Sequence, residues 1–489
     1  MKGQSLLIHF CIMNMLKSAG RFLLVAPLAL ALSGYAQVQQ GGNGGQPRLV
    51  FGVIADVHIG GKPDAAETLE KTLRLLDKRG VDAVLCAGDI AHSGHIGEIE
   101  KFAEVWNKVF PGGRGSDGRA VELMISTGNH DVGGWGGRWN GFSKERMLAE
   151  RFDYKDNFRK TWERLFGMKW ELVWRREVKG YTFIGSQWSS LKPPIEEYFR
   201  NHAGELRGSK PFFYCQHAHP KDTCHGAYGN GSWDDGASVR ALSAFPNAVA
   251  FSGHSHRSLA DERAVWQGAF TSIGAGCIHE GGLDYNYDNG SAFWHPSFKR
   301  NLMSPLQNPS GWGGDDEGGN FEIVEVFDSR LVVHRLSVAY GGEPIAPAWT
   351  VPIPAVAGGP FDFAVRKAKR SAPQFAADAK VRIEDCPRGH RLASKARAGE
   401  PCVYVSFPAA EPVDGCRVFD YVVTAEAAGV GRVEKKIMAA GFARPGARAG
   451  QPGECLFSAA ELPKSDRIVF TVVPRDCFGL SGRPISAVR

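Results

Sequence analysis

Residues 48–58 read RLVFGVIADVH, an apolar run that leads directly into two polar side chains, Asp56 and His58. A run that is apolar at nearly every position is typical of a strand buried on both faces of a parallel sheet. We interpret residues 48–55 as such a strand, with Asp56 and His58 at its end. In extended backbone, residues two apart point to the same side, so we expect both side chains on one side of the sheet.

The same arrangement occurs at two further places. Residues 82–87 and 121–126 are apolar runs that end in Gly88-Asp89 and in Gly128-Asn129-His130-Asp131. The glycine before Asp89 leaves room for the close approach of another group, because it has no side chain. Apolar residues at helical spacing lie between the runs, in residues 65–78 and 97–109. Strands that alternate with helices predict an α/β fold, whose parallel strands usually carry the active site at their carboxyl ends.

Two later runs lead into histidines. Residues 210–216 precede His217, and residues 248–252 precede Gly253-His254-Ser255-His256. A mixed set of imidazoles and carboxylates suits Zn, Fe or Mn better than Ca or Mg. Each motif alone has a plain interpretation as a loop or a turn, but five of them in order, each after an apolar run, favour a metal site. The candidate ligands exceed one tetrahedral site and fit two metals that share a carboxylate: Asp56, His58, Asp89, Asn129, His217, His254 and His256.

This ordered set of motifs resembles that of the calcineurin-like metallophosphoesterases, of a bacterial exported type. The resemblance covers roughly residues 48–338 and implies an α/β fold, a four-layer α/β/β/α sandwich with two metal ions at its rim. It implies that Asp89 bridges the two metals. The other ligands divide into Asp56, His58 and His256 for the first metal and Asn129, His217 and His254 for the second.

The chemistry expected of such a site is hydrolysis of a phosphate ester. Two metal ions, divalent or trivalent (Mn, Fe or Zn), would hold the phosphate and activate a water as hydroxide. His130 follows a candidate ligand and is the candidate catalytic residue, placed to protonate the leaving oxygen. The alternative role for His130 is that of a hydrogen-bond donor behind the ligands.

The sequence departs from the family pattern after Asp89. Many members carry an aspartate three residues later, which orients the catalytic histidine, but this chain has His92 there. Asp131 or a main-chain carbonyl is the expected substitute. Protein phosphatases of the family have an arginine next, where this chain has Ser93-Gly94. This difference disfavours protein phosphatase activity and slightly favours a phosphodiesterase. His92, His95, His219 and His225 are interpreted as substrate contacts or simple loop residues, and Trp135–Trp139 and Trp188 as pocket walls or packing.

The N-terminus predicts export. Lys17 and Arg21 precede the apolar run 22–32, and small residues lead to Ala36, a pattern typical of a signal peptide over residues 1–36. The apolar run is too short for a comfortable membrane anchor. We therefore expect a periplasmic or secreted protein without a transmembrane segment after signal removal. The formal charge is +6, and removing three basic residues leaves about +3, which indicates no specific nucleic-acid site.

The remaining chain predicts two folded parts. Residues 37–47 are a Gly-rich linker, residues 48–340 the metallophosphoesterase domain, residues 341–375 a second linker, and residues 376–489 a C-terminal β-sandwich domain similar to fibronectin type III or immunoglobulin modules. Residues 281–319 are a long loop rich in Gly, Asn, Asp and Trp. Cysteines are concentrated at Cys386, Cys402, Cys416, Cys455 and Cys477, and their connectivity stays open.

Further elements are expected outside the motifs. Strands are expected at 181–187, 267–273, 321–326, 330–337, 380–383, 401–407, 417–424, 432–437 and 467–473, and helices at 156–166 and 238–243.

The leading hypothesis is an exported dinuclear-metal phosphoesterase that acts on a small phosphorylated substrate. One alternative is a phosphodiesterase of the cyclic-nucleotide or glycerophosphodiester type. An alternative of another class is a surface-binding protein with a vestigial metal site. The oligomeric state and the choice between mono- and diesters stay open.

Overall fold

The structure is a computed structural model. It describes residues 45–133, 139–225, 233–278, 319–338, 341–386, 401–413, 417–439, 442 and 450–489. The expected signal peptide, most of the linker 37–47, nearly all of the loop 281–319 and Cys416 lie outside the described residues. Residues Pro47–Arg489 form one compact unit. None of the described helices combines the length and the hydropathy that crossing a bilayer requires.

The strands of the first part are β1 (Leu49–Ile54), β2 (Ala83–Ala87), β3 (Glu122–Ser126), β4 (Val173–Val178), β5 (Tyr181–Ser186), β6 (Phe212–Cys215), β7 (Ala248–Ser252), β8 (Val265–Gln267), β9 (Thr271–Gly274), β10 (Asn320–Val326), β11 (Arg330–Ser337) and β12 (Glu343–Pro352). Those of the C-terminal part are β13 (Arg382–Cys386), β14 (Cys402–Phe407), β15 (Asp420–Ala427), β16 (Gly431–Met438), β17 (Gly453–Ser458), β18 (Val469–Arg475) and β19 (Ile485–Val488). The α-helices are Ala65–Lys78, Ile96–Val109, Lys144–Glu150, Asn157–Phe166, Ile195–Asn201, Ala203–Leu206, Ala237–Leu242 and Phe363–Ala368. Within the described residues, 3-10 turns span Pro111–Gly113 and Glu262–Ala264.

Two six-stranded mixed sheets form the first part, with strand orders β12-β11-β10-β1-β2-β3 and β4-β5-β6-β7-β9-β8. Within them, β1, β2 and β3 run parallel, as do β5, β6, β7 and β9. The carboxyl ends of parallel neighbours lie at the same edge of a sheet, so the loops that follow them are brought together.

The sheets are the two inner layers of a sandwich. Aromatic rings fill the space between them, with Phe51 of β1 lying 4.8 Å from Phe213 and 5.7 Å from Phe251 of the other sheet. The helix Ala65–Lys78 covers the outer face of the first sheet, burying Leu69, Leu73 and Leu76. Helices Ile195–Asn201 and Ala237–Leu242 cover the second sheet. The predicted four-layer α/β/β/α fold is therefore confirmed.

The C-terminal part consists of two antiparallel sheets, with orders β13-β14-β17 and β16-β15-β18-β19. This agrees with the predicted alternating strands. The apolar core between the two large sheets continues into this part, since Phe51 and Val423 belong to one cluster. The domain boundaries and the likeness to a fibronectin or immunoglobulin module stay predictions.

Two of the predicted segments have a different structure. The expected linker 341–375 contains β12, which pairs with β11, and the helix Phe363–Ala368. Ile345, Trp349 and Val351 of β12 are buried, while its prolines are tolerated because β12 is an edge strand. The single strand expected at 267–273 is instead the hairpin of β8 and β9.

Candidate metal centre

The seven predicted ligands all follow parallel strands. Asp56 and His58 come after β1, Asp89 after β2 and Asn129 after β3. His217 follows β6 of the second sheet, and His254 and His256 follow β7. The structure brings all seven into one place, where the two sheets meet.

The backbone at these residues is unusual. Among the described residues, eight non-glycine residues have positive φ, and five of them are predicted ligands: Asp56, His58, Asp89, His254 and His256. Left-handed backbone costs free energy for residues with a side chain, and such strain is concentrated at functional sites. The expectation that Asp56 and His58 share a side through extended backbone is therefore wrong, because β1 ends at Ile54 and φ is 52° and 49° at the two residues.

The motif glycines provide the space that the ligands occupy. A Cβ on Gly88 would lie 2.4 Å from His217 Nδ1, and one on Gly128 would lie 2.2 Å from Asp89 Oδ1. A Cβ on Gly253 would lie 2.4 Å from Asp56 Oδ2. Each glycine thus faces a ligand from another loop, which is the close approach that the sequence predicted for Gly88.

The first group of ligand atoms comes from Asp56, His58, Asp89 and His256, all within 4.8 Å of one another. His256 Nε2 lies 3.1 Å from Asp56 Oδ1 and 3.1 Å from His58 Nε2. His58 Nε2 lies 3.7 Å from Asp89 Oδ2. Two carboxylates and two imidazoles that converge in this way form a donor set suited to a transition metal.

The second group comes from Asp89, His217 and His254, again within 4.8 Å. His217 Nε2 lies 3.1 Å from Asp89 Oδ2 and 3.1 Å from Asn129 Oδ1. His217 Nδ1 donates to the Ala87 carbonyl at 2.8 Å, so Nε2 is the ring nitrogen that faces the other ligands. Asp89 belongs to both groups, so its carboxylate lies where a bridge between two metals would be.

Electrostatics indicate that the site attracts positive charge. Burial alone would lower the pKa of His217, but the Asp89 carboxylate outweighs it and raises that pKa to about 9. Burial likewise opposes the charge on His256, yet Cys277 and Asp56 raise its pKa well above the ordinary value. Burial would raise the pKa of Asp89, but His217 holds it below its usual range. The carboxylates of Asp89 and Asp56 thus favour positive charge at the neighbouring imidazoles, and such a donor set fits metal ions.

Asp131 holds two of the ligand loops together. Its Oδ1 accepts from the Ala91 amide at 2.7 Å and its Oδ2 from the Gly128 amide at 2.8 Å. The loop after β2 is thereby fixed to the loop after β3. Asp56 acts similarly between the sheets, because it accepts from the His254 amide at 3.0 Å.

His130 lies next to the first group. Its Nδ1 donates to the His92 carbonyl at 2.7 Å, so a main-chain carbonyl takes the place of the missing orienting aspartate. The His130 ring is 4.5 Å from that of His58. Nitrogen atoms of His58, His92 and His130 also lie within 4.8 Å of one another. The side chain of His92 therefore belongs to the site rather than to a remote loop.

The other sequence candidates have different positions. His95 precedes the helix Ile96–Val109, and its amide donates to Glu98 Oε2 at 3.1 Å. His219 is buried and contacts Ser255 Oγ at 2.7 Å and Ser252 Oγ at 2.8 Å. His225 belongs to neither group of ligand atoms. Trp139 donates to the Ser93 carbonyl at 3.1 Å, whereas Trp135 lies outside the described residues.

Sequence reasoning missed two residues at the site. Cys277, after β9, donates to the Asp56 carbonyl at 3.4 Å and hydrogen-bonds His256. Trp233 lies beside His254, with 5.6 Å between the ring centroids. Neither residue belongs to a motif, and only the fold brings them to the ligands.

Comparison with known proteins agrees with this geometry. Residues 49–258 match the family model described as calcineurin-like phosphoesterase. No curated protein matches the chain by sequence.

Several solved structures are similar at low identity. A dimetal phosphatase from Danio rerio has 11% identity, covers 63% of this chain and 99% of its own, and gives a TM-score of 0.34. GAP50 of Plasmodium has 13% identity, coverages of 62% and 89%, and a TM-score of 0.35. A purple acid phosphatase from yellow lupin seeds has 12% identity, coverages of 62% and 53%, and a TM-score of 0.37.

Residues 49–258 are therefore a calcineurin-like phosphoesterase domain. The chain is a hydrolase of phosphoric ester bonds with a candidate site for two metal ions, as the resemblance implied.

Proposed function

We propose that the protein is an exported, dinuclear-metal phosphoesterase that hydrolyses a small phosphate ester. The observation that supports it most strongly is that Asp89 belongs to both groups of ligand atoms. In this proposal Asp56, His58 and His256 hold one ion, and Asn129, His217 and His254 hold the other. Imidazole and carboxylate donors together favour Mn, Fe or Zn.

Two bound ions would supply Lewis-acid polarisation of the phosphate and an activated water. The chain itself supplies orientation and a proton. His130 Nδ1–H is held by the His92 carbonyl, so the opposite ring nitrogen is the one that faces the site. A protonated His130 would give its proton to the leaving oxygen there.

Two variants of the purified full chain test this assignment. Asp89→Ala should lose both metals and all turnover, because it removes the shared carboxylate. His130→Ala should keep both metals but lower kcat by about 10²- to 10⁴-fold. Metal content is measured by plasma mass spectrometry after loading with Mn, Fe or Zn, and kcat on aryl phosphate mono- and diesters.

The control is His202→Ala, a histidine at the end of the helix Ile195–Asn201 and not among the candidate ligands. It should leave metal content and kcat at wild-type values. An Asp89→Ala protein that keeps two metals would rule out the bridge. A metal-loaded wild type that is inert to every ester would favour a surface-binding protein instead. Preference for the diester would identify a phosphodiesterase.

Export is the second part of the proposal, and its support is the pattern of residues 17–36. The test is expression of the full chain in a bacterium, followed by fractionation and N-terminal sequencing. A mature protein outside the cytoplasm that begins near Gln37 is the expected result. A full-length chain in the cytoplasm would contradict export without affecting the metal assignment.

A further inference from the structure

Two tryptophan side chains lie beside the second group of ligands. The ring of Trp188 is 6.0 Å from that of His254, at an interplanar angle of 29°, and 5.9 Å from that of His217. Trp233 lies 5.6 Å from His254 and 5.9 Å from Trp188. The two indoles and two imidazoles form one continuous aromatic surface.

The backbone of Trp188 is fixed to a ligand loop. Its amide donates to the Thr127 carbonyl at 3.2 Å, and its carbonyl accepts from Thr127 Oγ1 at 2.9 Å. Thr127 also donates its amide to Gln187 Oε1 at 2.7 Å. Because Thr127 precedes Gly128-Asn129, the position of Trp188 relative to Asn129 is set by the fold.

Trp233 is held by the residues that follow it. Asp234 Oδ2 accepts from the Lys221 amide at 3.0 Å and from Ser238 Oγ at 2.9 Å. An ion pair between Lys192 and Asp235 connects the segment after Trp188 with the segment after Trp233. The two indoles thus belong to segments that contact each other, and their ring centroids are 5.9 Å apart.

Trp233 nevertheless remains 60% exposed. Among the exposed large hydrophobic side chains in the described part of the chain, it is the only aromatic one. An indole gains strongly from burial, so one that is fixed in solvent next to a candidate active site indicates a surface that a ligand covers. Aromatic side chains bind planar rings by stacking, with little dependence on which ring it is.

We propose that Trp233 and Trp188 form a subsite for a planar ring in the organic part of the substrate, a nucleobase or an aryl ring. The proposal rests on the proposed function, because the phosphate held at the metal centre would place the ring against the indoles. An ester with an aliphatic organic part would lack this contact. The substrate class is thus a nucleoside or aryl phosphate ester.

The test compares adenosine 5′-monophosphate with ribose 5-phosphate, which share the phosphate and the sugar but differ in the base. The wild type should prefer the nucleotide by roughly 5- to 150-fold in kcat/KM, mostly through KM, as expected for one base stacked on an aromatic side chain. Trp233→Ala should lower this ratio, and removing both indoles in Trp188→Ala/Trp233→Ala should bring it near one. Trp233→Phe should keep most of the preference, because a phenyl ring also stacks.

Val430→Ala is the control, since Val430 is 56% exposed and lies in the turn between β15 and β16. It should retain the wild-type ratio. A wild type that uses both esters equally, or a ratio unchanged in Trp233→Ala, would overturn the subsite. If neither ester is hydrolysed, calorimetric titration of the metal-loaded protein compares its affinities for the same two ligands. Failure of the subsite can then be distinguished from failure of the hydrolase assignment.

A second, independent observation concerns two cysteines of the C-terminal part. Cys386 of β13 and Cys402 of β14 are directly opposite each other in an antiparallel pair, and both are buried. Opposite residues of antiparallel strands have Cα separations that a disulfide can span.

We infer that Cys386 and Cys402 form a disulfide on contact with a disulfide oxidant such as oxidised glutathione. One thiolate displaces a glutathione thiol to give a mixed disulfide, and the other then displaces the second glutathione, so two thiols are oxidised as one glutathione disulfide is reduced.

The measurement is peptide mass spectrometry of the full chain, alkylated in denaturant after incubation with oxidised glutathione. A linked peptide pair containing Cys386 and Cys402 is expected, while Cys455, which is opposite Val405, should be alkylated. Separate alkylation of Cys386 and Cys402 would overturn the inference. Cys402→Ser should leave Cys386 as a free or glutathionylated thiol, which shows that the link is specific.

Discussion

At the scale of the residue, His219 supports the candidate metal site without being a ligand. It is buried between Ser252, at the end of β7, and Ser255, between the ligands His254 and His256. Burial lowers the pKa of His219 to about 3, so the ring is neutral at ordinary pH and acts through hydrogen bonds. Groups behind metal ligands set the orientation of those ligands.

We therefore predict that His219→Ala weakens metal binding by about 10- to 100-fold, because the loop carrying His254 and His256 loses its support. Competition with a chromogenic chelator measures the affinity. Ser255→Ala should weaken binding in the same direction, whereas His202→Ala should not. Unchanged affinity in both His219→Ala and Ser255→Ala would contradict the supporting role.

At the scale of the element, the loops after the strands depend on glycine for their close packing. A Cβ at residue 128 would lie 2.2 Å from Asp89 Oδ1 and 2.6 Å from the Asp89 amide. The Asp89 carboxylate must then move, and it belongs to both groups of ligand atoms. Gly128→Ala should accordingly reduce the number of bound metals and lower kcat/KM by at least about 100-fold.

The matched control is Gly97→Ala, in the helix Ile96–Val109. A Cβ there meets nothing within 4 Å, and alanine is a better helix former than glycine. That variant should unfold at the same or a slightly higher temperature and keep its metals. If Gly128→Ala binds two metals with wild-type affinity, the loops are looser than the packing indicates.

Elements with a long regular pattern were predictable from the sequence. The helix Ala65–Lys78 and the strand Ala248–Ser252 have the predicted bounds, because the helix repeats apolar residues at helical spacing and the strand is an uninterrupted, nearly all-apolar run. Strands β12 and β4 were not predicted, since β12 contains three prolines and β4 has two adjacent arginines. Their pairing partners stabilise both strands, and a local pattern does not reveal such partners.

The motifs predicted which residues gather at the site, but not the backbone that gathers them. The sequence correctly predicted that Asp56 and His58 lie together, but it predicted an extended backbone for them. Their positive φ could not be predicted, because positive φ at a non-glycine residue has no signature in the sequence. Similarly, the partner of His130 is a main-chain carbonyl, which belongs to no residue type in particular. Trp233 was missed because only the tertiary fold brings it next to His254.

At the scale of the whole molecule, Glu262 connects the segment after the ligand His256 with β11, β12 and the helix Phe363–Ala368. It pairs with Arg335 of β11 at 2.8 Å and with Arg366 of the helix Phe363–Ala368, and Trp349 of β12 donates to it at 3.1 Å. Arg335 is only 1% exposed. Removing the charge of Glu262 therefore leaves the buried guanidinium groups of Arg335 and Arg366 without their carboxylate partner.

Glu262→Gln should therefore lower the free energy of unfolding by about 3–5 kcal/mol at pH 7, measured by urea denaturation. The exposed pair of Arg48 and Asp328, with side chains 63% and 76% exposed, provides the contrast. Asp328→Asn should cost no more than about 1 kcal/mol. Equal effects of the two substitutions would show that Glu262 does not stabilise the assembly of the sheets.

The stabilisation that Glu262 gives through Arg335 and Arg366 should depend on pH in a defined direction. Burial would raise the pKa of Glu262, but Arg335 and Arg366 hold it below its ordinary value in the folded state. A lowered carboxyl pKa stabilises the fold above the unfolded pKa of about 4.3 and ceases to do so as pH falls through the folded value. The difference between wild type and Glu262→Gln should thus shrink below about pH 4. A difference that grows on acidification would contradict this assignment.

The left-handed backbone at five predicted ligands has a consequence for directed evolution of this protein. Each such residue costs about 1–2 kcal/mol relative to a relaxed conformation, whereas glycine adopts the same backbone without that cost. A laboratory selection for heat resistance alone would therefore favour glycine at the histidines among these ligands, His58, His254 and His256, whereas Asp56 and Asp89 also accept main-chain hydrogen bonds from other loops. The selected variants would be more thermostable but would lack a complete metal centre. A search for thermostable variants therefore has to select for catalytic turnover at the same time.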